Sequence, residues 1–251
     1  MTEYELREAM MEPGCPVCGV TQRALDTLYR WFVIETYSEA AMLVDLAEGG
    51  FCPYHAWEVA KVAGKRLSVT YEFLVAAELR RMQEVLDAAA DAAQLRARRG
   101  SRLGRLLHWM RHGTKSPLEK AIKGLSPRRP CPVCRRIEEV EIYACTCLSR
   151  MLEDEETRNL LGQSDGLCLP HLRTALGHAS HPAATFLAED AVGRLDKLQE
   201  GFREYFRKQD YRYSDEPKGE EQHTWSRASD WFAGQTRRPP LLDGGPGDPR
   251  L

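Results

Sequence analysis

Apolar positions along this chain recur at helical intervals and almost never alternate. After Cys15, the residues Leu25, Leu28, Trp31, Phe32 and Tyr37 fall near three and four apart, which predicts a helix. A second apolar cluster, Met42 to Leu46, stops at Gly49-Gly50. A further helix is expected from Phe51-Cys52-Pro53-Tyr54-His55, since proline is well accepted in a first turn. Gly64 interrupts it. From Ser68, Tyr71, Leu74, Val75, Leu79, Met82 and Leu86 trace a long amphipathic helix to about Arg98, with Phe73 widening its apolar face.

The same order of elements returns. Ile137, Val140, Tyr143, Ala144, Leu148, Met151 and Leu152 mark one helix. Asp154 is placed to cap a short helix through Leu160 and Leu161, with Glu155 and Glu156 complementing its dipole, and Gly162 and Gly166 close it. Cys168 to Leu176 makes the next helix. A long one follows from Ala183 through Leu187, Ala191, Leu195, Leu198, Phe202 and Phe206. Before the first of these elements, residues 1 to 14 read as a short helical lead-in ended by Pro13-Gly14. After the last, Thr224 could cap a helix with Trp225, Ala228 and Phe232 on one side. Strand signals are nearly absent, so the fold class is all-α. It divides into a first helical unit (1–95), a linker (96–130), a second, pseudo-repeated unit (131–208), a C-terminal clasp (209–235) and a flexible Pro- and Gly-rich tail (236–251).

Composition narrows the class without naming a function. A hydrophobic share of 43% with 29% charged residues is ordinary for a globular protein, and a net charge of −2 supplies no global field for nucleic acid or anionic lipid. No apolar run reaches the roughly 18 residues of a transmembrane segment. Glu3, Glu5 and Glu8 stand where a signal peptide needs basic and then apolar residues, so a cytoplasmic location is expected. Charge is uneven locally. Between Arg96 and Arg129 lie eleven Lys or Arg against the single acid Glu119, and Leu103, Leu106, Leu107 and Met110 fall on one side with Trp109 beside them. This basic amphipathic linker can pack on a unit, meet an acidic partner or an anionic membrane surface, or bind nucleic-acid phosphates.

The most specific chemistry is a spacing that occurs twice. Cys15-Pro16-Val17-Cys18 is followed after 33 residues by Cys52-Pro53-Tyr54-His55, and Cys131-Pro132-Val133-Cys134 after 33 residues by Cys168-Leu169-Pro170-His171. Each ligand-type residue of the second set lies 116 positions beyond its counterpart. In a reducing compartment such cysteines are read as metal or redox chemistry instead of disulfides. Two metal sites of Cys3His type are therefore expected: Cys15, Cys18, Cys52 and His55 in the first unit, and Cys131, Cys134, Cys168 and His171 in the second. Each would hold one structural Zn²⁺ and pin two helix starts together.

Two rivals use the same residues. Thiolates suit an iron–sulfur cluster as well as zinc, and CPVC at a helix start is similar to a dithiol redox centre, though such a centre leaves both CxxH pairs unexplained. Covalent haem is disfavoured, because Gly19 and Arg135 follow the CPVC motifs where that attachment needs His. Cys145 and Cys147 point in different directions on a helix and read as buried small side chains. His178 and His181 form an HxxH that could bind a metal weakly but reads as an ordinary loop, and Glu220 with His223 is the one ExxH where a di-iron site needs two and further carboxylates. No phosphate-binding glycine loop or nucleophile elbow occurs.

CPVCRRIEE (131–139), DEETR (154–158), GLCLPH (166–171) and DYRYSDEPKGEEQHTWSRASDWFAG (210–234) together resemble DUF6062, a prokaryotic family of unknown function. The resemblance implies a cysteine-rich helical protein and supplies no mechanism. In the last block, a structural clasp would have Arg212 pairing an acid and Trp225 filling a groove. The expected function is a zinc-binding binding or scaffold module, with an oxidoreductase or electron carrier, and then a nucleic-acid-binding protein, as alternatives.

Overall fold

The computed structural model describes residues 3–34, 40–98, 117–213 and 215–235. Among them the fold is all-helical, and the chain divides into two compact units: residues 1–26 with 137–251, and residues 27–136.

Unit 1 holds α1 (Glu3–Met10), the start of α2 (Pro16–Ile34), most of α7 (Pro132–Met151), α8 (Glu155–Gln163), α9 (Leu169–His178), α10 (His181–Arg207) and α11 (Thr224–Ala233). Leu6, Val17, Leu148, Leu152, Leu161 and Leu187 are fully buried in its core. The expected cap forms: Asp154 accepts the Thr157 N–H at 3.0 Å, and Ser180 caps α10 in the same way through Ala183. α11 packs on α9 and α10.

The block before α11 is anchored by residues other than those expected. Arg212 does pair an acid, Asp210 at 2.6 Å, but the pair is exposed and contributes little. The tie to α10 comes from Arg207, which pairs with Glu204 and Glu216 and lies over the Tyr213 ring, and from Lys208, which meets Glu221 at 3.2 Å. Thr224 does not cap α11. It is the helix's first residue, follows a 3-10 turn (Glu220–His223), and is buried where a Cβ on Gly201 would lie 2.5 Å from its Oγ1. The inner face of α11 is therefore Thr224, Ala228 and Trp231, spaced by four and three, while Trp225 and Phe232 are exposed.

Unit 2 holds the rest of α2 and α3 (Ala40–Gly49), α4 (Pro53–Ala63), a 3-10 turn (Gly64–Leu67), α5 (Ser68–Arg98), α6 (Pro117–Gly124) and the start of α7. α5 packs on α3 and α6. Among its described side chains the buried positions are Thr70 and Ala77, two turns apart, so the inward face there is rotated from the one that the apolar pattern predicts. Val75, Leu79, Met82 and Leu86 are between 45% and 68% exposed. Leu103, Leu106, Leu107, Trp109 and Met110 of the linker lie outside the described residues, as do the 236–251 tail and Tyr37. At the described end of the linker, Arg129 is taken up by Asp45 and Glu48 at 2.6 and 2.7 Å, which removes it from any free basic patch. No described helix is long and apolar enough to cross a membrane.

Candidate metal centres

In all four motifs the first cysteine stands just outside a helix, and its carbonyl accepts the first helical bond. The acceptors are Cys15, Cys52, Cys131 and Cys168, bonded by the N–H of Gly19, Ala56, Arg135 and Leu172 at 2.8–3.0 Å. The proline of each motif lies in the first turn, where its missing N–H costs nothing. The remaining ligand comes from that first turn, so every ligand pair sits where the helix dipole and free N–H groups favour a thiolate.

Two clusters of four ligand atoms form, each inside one unit, with all atoms of a cluster within 4.8 Å of one another. Either could hold a metal ion. Their membership differs from the pairing expected within each repeat. Cys15 and Cys18 join Cys168 and His171 in unit 1, and Cys131 and Cys134 join Cys52 and His55 in unit 2. The physical reason is the length of the return path. α7 has 20 residues and α8 only 9, or ~30 Å out and ~13 Å back at 1.5 Å per residue. The CxxH segment thus comes back only to the middle of α7, where Cys145 Sγ lies 3.5 Å from the His171 carbonyl and Ser149 donates to the Ala175 carbonyl. α2 and α3, with 19 and 10 residues, have the same imbalance.

The separations are those of ligands on a single ion. Tetrahedral zinc, with bonds of about 2.3 Å to sulfur and 2.0 Å to nitrogen, sets sulfur pairs ~3.8 Å apart and sulfur–nitrogen pairs ~3.5 Å apart. In unit 1, Cys18 and Cys168 sulfurs are 3.8 Å apart, and His171 Nδ1 lies 3.4, 3.5 and 3.1 Å from Cys15, Cys18 and Cys168. In unit 2, Cys52 and Cys134 sulfurs are 3.7 Å apart, and His55 Nδ1 lies 3.2, 3.7 and 3.2 Å from Cys52, Cys131 and Cys134.

Electrostatics in the first cluster favour a positive charge at its centre. Burial pushes the Cys15 thiol well up, whereas hydrogen bonds from Cys15 and Cys168 pull Cys18 down. Burial alone would lower the His171 imidazole; the thiols of Cys15 and Cys18 and the Glu141 carboxylate outweigh it and raise His171 to about 12. In the second cluster burial, followed by the Cys131 charge, pushes Cys134 up to about 12; Cys52 falls because the His55 N–H and the neighbouring thiols outweigh its burial.

Three supports of the first cluster lie outside the ligand motifs. Glu141 Oε1 accepts the His171 Nε2–H at 3.2 Å and so fixes which nitrogen faces the sulfurs. Its signal is its place two helical turns beyond Cys134; the position 116 earlier is Leu25. Asp165 accepts the Gly14 N–H at 2.6 Å and ties the CPVC loop to the CxxH loop. Finally, the Gln235 N–H donates to Cys18 Sγ at 3.3 Å, just past the end of α11. Gly234 precedes it at φ +73°, and a Cβ there would lie 3.1 and 3.2 Å from the sulfurs of Cys168 and Cys18, so glycine alone fits both the conformation and the space.

Cys145 and Cys147 stay out of both clusters. Cys145 is wholly buried, which raises its thiol to about 11, and Cys147 is half-buried beside Met151. Among the described residues neither His178 with His181 nor Glu220 with His223 enters a metal-ligand cluster, and all eight cysteines are free of disulfides.

No curated protein and no solved structure matches the chain. A family model does: it is described as a family of unknown function (DUF6062), it matches residues 3–239, and the chain belongs to that family.

Proposed function

We propose that the protein is a zinc-binding helical module that serves as a binding or scaffold protein, with two structural Zn²⁺ per chain, each held by three thiolates and one imidazole. The observation that carries this reading is the pair of compact four-atom clusters with the separations of a tetrahedral ion. All four positions are filled by the chain, which leaves none open for water or substrate and favours a structural over a catalytic role. Soft sulfur with imidazole suits zinc. An iron–sulfur cluster would spread its four ligands over several metal centres, and separations of 3.1–3.8 Å are too close for that. A dithiol redox centre needs a free CPVC pair, whereas both pairs here face a third sulfur and an imidazole. The metal would join helix starts far apart in sequence, and in small zinc domains such binding is worth about 10–16 kcal/mol.

The test is elemental analysis of protein purified without oxygen. The expected result is close to two zinc per chain and no colour. Brown protein containing iron and sulfide would overturn the assignment, as would protein that is folded and metal-free.

A further inference from the structure

Unit 1 has a half-open cavity of about 460 Å³ beside its ligand cluster, within the range of about 300–1,000 Å³ typical of small-molecule sites. The 162–166 loop lines it on one side, α10 on another and α11 on a third, and Cys15 and Cys168 adjoin it. Its walls therefore come from the segments that build the metal centre, from α10 and from the C-terminal block.

The polar groups around the cavity are unevenly committed. Asp165 already accepts the Gly14 N–H, and Asp230 is engaged as well. Arg194 uses all three nitrogens, bonding Asp190 at 2.7 Å and the carbonyls of Ser164 and Leu161 at 2.8 and 3.1 Å. Two cationic side chains keep donors to spare. The Lys197 ammonium has no partner among the described residues. Arg227 uses one terminal nitrogen, on the Glu220 carbonyl and Thr224 Oγ1, and leaves its other two without one. Trp231, half-buried against the core, lines the same space, with Leu167 and Leu198 as further apolar lining. A ligand that satisfies this surface brings acceptors and negative charge at one end and an apolar or planar body at the other.

We infer that this cavity binds a small molecule carrying a carboxylate or phosphate on an apolar, preferably aromatic, body, with Lys197 and Arg227 meeting the anionic group and Trp231 the body. The inference rests on reading the chain as a metal-pinned binding module. The ligand sits beside the ligand cluster and not on it, because Cys15 and Cys168 are only 8% and 3% exposed.

Full-length protein of measured metal content, titrated calorimetrically with phenyl phosphate, benzoate, benzyl alcohol and inorganic phosphate, tests this. At least one of the two aromatic anions should bind once per chain, at least tenfold tighter than benzyl alcohol. Lys197→Ala and Arg227→Ala should each weaken that binding about tenfold, with metal content and helicity unchanged, and Lys65→Ala in unit 2 should leave it alone. Absence of saturable binding by metal-loaded protein overturns the inference, as does an affinity indifferent to both substitutions or equal for benzyl alcohol. Inorganic phosphate binding as tightly as phenyl phosphate would overturn the role of Trp231 and the apolar lining. Protein that lacks metal yet binds these anions through Lys197 would overturn the zinc reading and leave the cavity's role standing.

Discussion

All four ligand side chains of the unit 1 cluster are buried, whereas in unit 2 Cys52 and Cys134 are only half-buried and Cys131 and His55 are buried. The first cluster is also braced from outside: Glu141 fixes the His171 ring, Asp165 links its two loops, and the end of α11 closes on its sulfurs through Gln235. Beside the second cluster, Arg129 and Arg135 pair with Asp45 at 2.6 and 2.9 Å and so tie α3 to the CPVC segment. The same four residue types at the same spacing thus occupy a sheltered centre and an open one. The difference is one of burial, since the ligand motifs are alike.

The largest effect tests the membership of the clusters. Cys18→Ser with Cys168→Ser removes two ligands of one cluster and should leave one metal ion per chain, with unit 2 still folded. Cys18→Ser with Cys52→Ser removes one ligand from each cluster and should lose both ions, together with most of the stabilisation that metal confers, several kcal/mol per site. Metal analysis and circular dichroism read both outcomes. If the two double variants exchanged results, the ligands would be paired within each repeat after all.

Glu141 governs a smaller difference. Chelator titration of the unaltered protein should be biphasic, the ion held by Cys52 and Cys134 leaving first because those sulfurs are more accessible. Glu141→Gln removes the carboxylate that orients His171 and should weaken the unit 1 ion by about 10- to 100-fold, bringing the two phases together. Phases that stay apart in the variant would show that burial alone protects the first ion.

These contrasts also separate what can be read from the sequence from what cannot. The eight ligand-type residues, the helical class and the Asp154 cap follow from local rules: spacing, period and N-cap chemistry act within a few residues. The partition of ligands depends on how far a 33-residue segment returns along a 20-residue helix, a property of helix lengths that motif spacing leaves open, since either CxxC can in principle meet either CxxH. Glu141 is hidden for a related reason. An acid on a helix is usually solvated, and only the returning His171 makes this one a brace. The inward faces of α5 and α11 differ from the expected ones because apolar character does not by itself mean burial. Small residues, Thr70 and Ala77 on one helix and Thr224 and Ala228 on the other, fit the close helix packing instead.

The smallest effect concerns the tether that holds α11 near the sheltered cluster. The Glu221 carboxylate accepts the Gly219 N–H at 2.8 Å and also faces Lys208 at 3.2 Å and Gln222 at 3.3 Å. The Gly219 N–H, more than the burial that opposes it, brings its pKa down to about 2, against about 4.3 for an unfolded glutamate. A carboxyl depressed in the folded state stabilises the fold above the unfolded value and loses that contribution as pH falls through the folded one. The stabilisation from Glu221 is therefore full above pH ~5 and fades between about 4.3 and 2. Glu221→Gln keeps an acceptor and removes the charge. Its thermal midpoint should lie below that of the unaltered protein by a constant margin from pH 7 to about 5, and the margin should begin to close below about pH 4.3. Acid release of metal affects both proteins alike and cancels in the difference. A margin that held steady or widened down to pH 3.5 would mean that Glu221 anchors the block by shape and not by charge, and that the closure over Cys18 rests on Thr224, Ala228 and Trp231 instead.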